Sequence, residues 1–215
     1  MITDGIRAND LHSFQDFDLC IKTRKTNLPK KKTIRETVPF MNGYYDFSAL
    51  NGSPAWESRT VSYSFDVLGD TPEETEEYAE RVLDWLCNLH EVDIYDDAMP
   101  HYHWHGSYDS ASLNWDDSGM AVEISVDFVC YPFKIANTPI THSFKAGTHT
   151  VVNNGQAVAP IVKSDAAAAI QIGSYVQSIP ANVEIKLGID LARGTNQILV
   201  TGDGTVSFKY FREVM

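Results

Sequence analysis

Two runs of strict alternation constrain this chain more than any other feature. Val61, Tyr63, Phe65 and Val67 alternate with Ser62, Ser64 and Asp66, and Met120, Val122, Ile124, Val126 and Phe128 enclose Glu123, Ser125 and Asp127. A period of two sends apolar side chains to one face and polar ones to the other, so each run reads as a half-buried strand. Ala111–Trp115 and the turn Asp116-Asp117-Ser118-Gly119 precede the second run and make a hairpin with it. Between the two runs lies one helix. Thr71 is placed to cap it, Pro72 suits the first helical position, and Glu74 completes a capping box. Tyr78, Val82, Trp85, Leu86 and Leu89 supply its apolar stripe, which predicts an end near His90. Glu73, Glu74, Glu76 and Glu77 place negative charge at the positive end of the helix dipole, which explains them without a metal.

Cys130-Tyr131-Pro132-Phe133 breaks the strand pattern and marks an exit. Beyond it the texture changes to short Thr/Val/Ile-rich segments divided by turns: Thr148–Val152, Ala159–Lys163, Ala166–Ile172, Asn182–Leu187, Gln197–Thr201 and Val206–Phe211. This is the pattern of an all-β sandwich. The four alanines of Asp165–Ile170 suit a short helix or a fully buried strand. The fold class expected is therefore mostly β with one helix, in two domains, 1–136 and 137–215.

Composition excludes several functions. The chain has 215 residues and a formal charge of −12, a poor match for wrapping a phosphate backbone. Residues 1–137 hold 11 Lys/Arg and 24 Asp/Glu, net −13, and residues 138–215 hold 6 and 5, net +1. No stretch approaches the roughly 18 apolar residues of a membrane span, and the polar opening Met1–Asp10 lacks a signal-peptide core. Cys20, Cys87 and Cys130 are widely spaced and read as reduced thiols of a protein made in a cytoplasm.

Three groups of residues are candidates for a role. Lys22, Arg24, Lys25, Lys30, Lys31, Lys32 and Arg35 are concentrated around Pro29. With strands expected at Asp18–Thr23 and Thr33–Val38, they predict a hairpin with a basic tip, either solvated or meeting an acidic partner, including another copy of this chain. Pro39–Phe47 adds an Asn-Gly turn among aromatic residues suited to a core or an interface. His101, His103 and His105 would share one strand face, and imidazole is the commonest transition-metal ligand. Yet three such residues span roughly 13 Å at about 3.3 Å per residue, too far to close on one ion without a bend, so a solvent-facing or interface strand is the favoured reading. Nucleophile elbow, P-loop, zincin and dinucleotide motifs are absent, and no cofactor is expected. Asp96/Asp97 and Asp116/Asp117 read as turn chemistry. Phe144, Tyr175, Phe208, Tyr210 and Phe211 suit a sugar platform only if exposed, and burial explains them equally well.

Val38–Phe47, Glu57–Val67, the capped helix from Thr71, and the closing Gly194-Thr195-Asn196-Gln197-Ile198 and Gly202–Glu213 occur in an order that resembles the distal tail protein family of long-tailed, non-contractile phages, often found in prophages of Gram-positive bacteria. The resemblance covers nearly the whole chain. It implies a non-enzymatic virion protein forming a ring, typically a hexamer, at the lower end of the tail tube. The N-terminal domain would build that ring from a β-sandwich, a helix and a long hairpin, with a galectin-like or carbohydrate-module-like sandwich appended. Implied partners are further copies of the chain, the tail tube protein, and the tail-tip, baseplate and receptor-binding proteins used in host adsorption. Lys22–Arg35 would then be the hairpin reaching a neighbouring subunit. Double-stranded DNA would only pass through the lumen, lined by acidic residues of 1–137. The His-rich strand is not expected from the resemblance. A carbohydrate-binding module and a metal-dependent enzyme are the alternatives.

Overall fold

The computed structural model describes residues 4–48 and 55–215. It divides into two units, Met1–Lys134 with Met215, and Ile135–Val214. Unit 1 contains β1 (Ile6–Ala8), β2 (Leu11–His12), β3 (Ile21–Thr26), β4 (Arg35–Glu36), β5 (Tyr45–Asp46), β6 (Arg59–Leu68), α1 (Pro72–Cys87), β7 (Val92–Asp96), β8 (Tyr102–Trp115) and β9 (Ala121–Cys130). Seven of these strands follow one sheet path, β2-β1-β7-β8-β9-β6-β3.

The two alternating runs form the centre of that sheet. β6 and β9 pair antiparallel from Arg59↔Cys130 to Leu68↔Ala121. Val61, Tyr63, Phe65, Val67, Val122, Ile124, Val126 and Phe128 are all buried in one cluster with Ala79, Val82, Trp85 and Leu86 of the helix. Thr71 caps α1 as its sequence requires, its Oγ1 accepting the Glu74 N–H at 3.2 Å. The helix stops at Cys87 rather than near His90, because Asn88 leaves helical geometry and donates its side-chain amide to the Asp84 carbonyl at 2.6 Å. Trp85 stacks on Phe17 at 4.9 Å and donates its indole N–H to the Ala8 carbonyl, tying α1 to β1.

The path curls until its last strand meets its beginning. The Ile21 N–H donates to the Asp4 carbonyl at 3.2 Å, and Arg24 of β3 reaches both Asp4 and Asp96. Layering in this unit thus arises within a single sheet path. β1 and β2 are joined by Asn9 and Asp10, with φ of 49° and 64°. Two consecutive left-handed residues make the two-residue turn whose twist suits a tight hairpin.

One strand expectation is corrected. The expected strands His101–His105 and Ala111–Trp115 merge, His101 apart, into one 14-residue strand, β8. Its register on β9 shifts between Tyr108 and Ser110. That bulge, inside a run of small polar residues, interrupts the alternation and hides the continuity.

Unit 2 is described by itself. Its strands are β10 (Lys134–Ala136), β11 (Ile140–Phe144), β12 (Gly147–Asn153), β13 (Ile161–Ser164), β14 (Ala168–Ile172), β15 (Tyr175–Ile179), β16 (Glu184–Lys186), β17 (Gly194–Gly202), β18 (Val206–Tyr210) and β19 (Glu213–Val214). Two four-stranded sheets, β11-β18-β13-β16 and β12-β17-β14-β15, enclose a core that includes Val162, Ile170, Ile198 and Phe208. The alanine-rich segment is strand β14, paired on both sides. Asn153 is fully buried and fully used: its Nδ2 donates to the Gln156 and Leu191 carbonyls at 2.7 and 3.0 Å, and its Oδ1 accepts the Gly155 N–H at 2.9 Å.

Candidate assembly arm

β3 leaves the sheet at Thr26, and the chain continues outward as an arm that returns at Arg59. Its rails are linked at the base, where the Asn27 N–H donates to the Thr60 carbonyl at 3.2 Å. Further out, Glu57 N–H donates to the Lys30 carbonyl and Lys32 N–H to the Ala55 carbonyl, at 2.8 and 2.9 Å. β4 then pairs with β5 through Arg35↔Asp46 and Glu36↔Tyr45. Beyond them the Met41 N–H donates to the Val38 carbonyl, closing the tip.

Among its described residues the arm has no core of its own. From Lys30 to Phe47 every residue except Met41 is exposed. Leu28 is 75% exposed, Ile34, Tyr44 and Tyr45 are about half exposed, and Phe40 is fully exposed. Phe40 also has φ of 68°, which costs a bulky L-residue roughly 1–2 kcal/mol. A two-stranded ribbon with one solvated apolar face is marginal in isolation, and contiguous exposed apolar surface is a candidate for burial against a partner.

The basic residues lie along the base and outward rail, not at the tip, which is apolar. Asp18–Thr23 and Thr33–Val38 also give way to Ile21–Thr26 and Arg35–Glu36. Lys22 pairs with Asp66 and Glu123 at 3.0 and 2.8 Å, so its pKa is raised, chiefly by the hydrogen bond to Glu123. Arg24 binds Asp4 and Asp96. Arg35 reaches Asp46 at 3.3 Å and lies 4.4 Å over the Tyr44 ring. Lys31 sits 5.7 Å over Trp56. Lys25, Lys30 and Lys32 are exposed and form no ion pair among the described residues. Lys22, Arg24 and Lys25 also stud the outer strand of the sheet, where charge discourages indiscriminate strand pairing.

The structure separates the three histidines. His101 precedes β8 and is exposed, whereas His103 is buried and His105 half-buried. His105 Nδ1 lies 2.8 Å from Asp93 Oδ1 and its Nε2 lies 3.4 Å from Glu91 Oε2. His103 Nε2 lies 3.5 Å from the same Asp93 oxygen, with its ring against Tyr95. Among the described residues no group of three His, Cys, Asp or Glu side chains is arranged to hold an ion. A 350 Å³ cleft beside His105 is lined by Arg7, Asp10, Glu91, Asp93 and Tyr95 among others. It mixes both charges and is lined by no serine, threonine or cysteine.

The hairpin expected from Asp18–Thr23 and Thr33–Val38 does not form, because β3 pairs with β6 and β4 with β5; the Pro39–Phe47 aromatics, suited by sequence to a core or an interface, are exposed. The aromatic cluster around Asn42-Gly43 was the available signal. Its alternation is irregular, which is how a ribbon without a buried face reads.

No protein-family model matches the sequence, and no curated protein matches it. Among solved structures the chain is similar to the Dit protein of phage SPP1, described as a paradigm of the hub adsorption apparatus in phages infecting Gram-positive bacteria. The TM-score is 0.73 at 15% identity, over 97% of this chain and 98% of that one. A structure of the phage P2 baseplate in its activated conformation with Ca aligns over the same shares, with a TM-score of 0.46 and 7% identity. The chain has the fold of the SPP1 protein along its whole length: mostly β, with a single helix.

Proposed function

We propose that this chain is a structural hub protein at the distal end of a phage tail, closing into a ring, most simply a hexamer, through unit 1. The observation that carries the reading is the arm, which extends from a well-packed unit with exposed apolar side chains and no core. The full-length fold likeness to a hub protein supports it. The arm seats on a second copy, with Lys25, Lys30 and Lys32 supplying charge attraction to an acidic neighbour. The ring joins the tail tube to tail-tip, baseplate and receptor-binding proteins of the adsorption apparatus. Its place is the virion, after synthesis in the cytoplasm of a bacterial host, in keeping with the Gram-positive hosts of the SPP1 relative. Acidic side chains of residues 1–137 line the bore, so that DNA passes without adhering. A ring reconstruction with a neutral or basic bore would overturn that last point.

The deciding experiment is size-exclusion chromatography with light scattering on the full chain. A closed species of six protomers is expected. A strict monomer at high concentration, with and without the tube protein, sinks the reading.

A second reading has one specific observation behind it. The outward face of β12-β17-β14-β15 presents Thr148, Thr150, Thr195, Gln197, Thr201 and Gln171 interleaved with exposed Val152, Val176 and Leu199, and bears no ionisable side chain. The opposite sheet carries Lys163, Glu184, Lys186 and Lys209 on its outer face. An uncharged face that mixes hydroxyls and amides with apolar side chains suits a neutral glycan. Phe144, Phe208 and Tyr210 are buried and offer it no stacking surface. A glycan array probed with the full chain tests this: saturable binding to a neutral saccharide supports it, and none removes it.

A further inference from the structure

Arg59 is 4% exposed and has no carboxylate partner among the described residues. A buried cation without a counter-charge is ordinarily avoided, since desolvation exceeds what neutral partners return. Burial accordingly lowers its pKa, with only a small opposing effect of Cys130. Its contacts explain why arginine stands there. Nε donates to the Asn27 carbonyl at 2.8 Å, and Nη1 donates to the Pro132 carbonyl at 3.1 Å. The guanidinium carbon lies 4.7 Å above the Trp104 ring, whose π face favours a cation. Asn27 is the first residue of the arm after β3. Pro132 belongs to the segment that ends unit 1. These two carbonyls are 105 positions apart in the chain and are bridged by this side chain.

The return rail is tied to the same segment by a separate contact. Trp56 packs edge-on against Phe133 with ring centroids 5.9 Å apart, and Phe133 in turn meets Tyr131 at 5.7 Å. Lys134 approaches Trp104 at 5.9 Å from its centroid. Both rails of the arm are therefore fastened to residues 131–134. A methionine would relieve the desolvation but leave two carbonyls without a donor. A lysine carries its charge at one point and lacks the planar fork that serves two acceptors while stacking. Gly106 lets β8 approach β9 closely beside it: a Cβ there would lie 2.5 Å from the Val129 carbonyl oxygen and 2.7 Å from Cys130 Sγ.

We infer that Arg59 is a positioning residue that clasps the base of the arm to the exit of unit 1, so that the two move as one piece. Seating of the arm is thereby felt at the segment leading into unit 2. The second statement rests on the arm seating on another copy; the first does not.

Hydrogen–deuterium exchange on the full chain tests the clasp without reference to assembly. The probes are the Asn27 amide at the arm base, the Glu57 and Lys32 amides just beyond it, and the Tyr131 amide, which donates to the His105 carbonyl at 2.7 Å. In Arg59→Met, exchange should accelerate about tenfold at both places, with α1 and the interior of β9 still protected. Arg59→Lys should behave like Arg59→Met. Acceleration at one place only, at neither, or a lysine variant matching the wild type, overturns the inference. Should Arg59→Met not fold, Trp56→Ala leaves Arg59 in place and must still accelerate exchange at both the arm base and Tyr131. Confinement of its effect to the arm counts against the clasp. A monomeric protein with coupled exchange would refute the ring while leaving the clasp standing.

Discussion

Arg24 donates through Nε to both carboxylate oxygens of Asp96, at 3.1 and 3.0 Å, although 72 residues separate them. Asp96 is 7% exposed, and the pair bridges the last strand of the sheet path and a strand near its beginning. Burial of Arg24 opposes its charge, but the hydrogen bonds to Asp4 and Asp96 prevail and hold its pKa above the ordinary value. Asp96→Ala leaves a partly buried cation facing the gap. It should cost about 3 kcal/mol of unfolding free energy. Urea denaturation reads this directly, and a loss under about 0.5 kcal/mol would mean that the junction contributes no more than an exposed pair.

The basic residues should separate into two classes. Arg24 supports the fold, whereas under the proposed ring Lys25, Lys30 and Lys32 would serve the contact between copies. Reversing Lys30, Lys31 and Lys32 to Glu should leave the urea midpoint nearly unchanged and abolish the closed oligomer at physiological salt. An intact ring by light scattering would refute the role given to the arm lysines.

Phe40 offers an independent check, because it contributes apolar contact rather than charge. Phe40→Ser removes an exposed side chain with nothing packed on it, so the unfolding midpoint should stay within about 0.5 kcal/mol of wild type. The oligomer should weaken by at least tenfold in dilution experiments, since buried aromatic anchors commonly contribute 2 kcal/mol or more at interfaces. Equal dissociation curves for variant and wild type would remove Phe40 from the contact.

Alkaline stability should depend on Cys130. Burial pushes its thiol up to about 12 from an ordinary 9.0, against a smaller pull from Arg59. The unfolded thiol ionises above about pH 9 while the folded one stays neutral. The stabilising difference is therefore intact below pH 9 and is lost as pH rises toward 12, by up to about 1.4 kcal/mol per unit. Tyr63, raised chiefly by burial and further by Asp96, adds a loss in the same direction from about pH 10 upward. Melting curves from pH 8 to 11 should fall more steeply for the wild type than for Cys130→Ala; parallel curves would show that the thiol ionises alike in both states.

What could be read from the sequence followed from how local its cause was. The alternation around Phe65 and Ile124 and the cap at Thr71 are written in neighbouring residues, and the structure realises both. β15 was not legible, because Gln177 shares the inward face with Tyr175 and Ile179 and meets the Tyr175 hydroxyl at 3.1 Å. Its polarity is satisfied by its own neighbours, the Tyr175 hydroxyl and the Ser178 carbonyl, and it breaks the apolar alternation by which a strand is recognised. The histidines depend instead on tertiary partners that no local pattern displays: His103 and His105 meet Asp93 of β7, and His105 meets Glu91 just before it, a pairing fixed by the register of β7 on β8. The clasp at Arg59 was invisible for the same reason, since its acceptors are backbone carbonyls.

The outward face of β12-β17-β14-β15 contains no ionisable group, while the arm presents lysines. At physiological ionic strength the Debye length is about 8 Å, and it shortens to about 3 Å in molar salt. Contacts made by Lys25, Lys30 and Lys32 fade across that range, whereas hydroxyl and amide contacts do not. Ionic strength is therefore a dial that loosens one surface of this protein and leaves the other untouched.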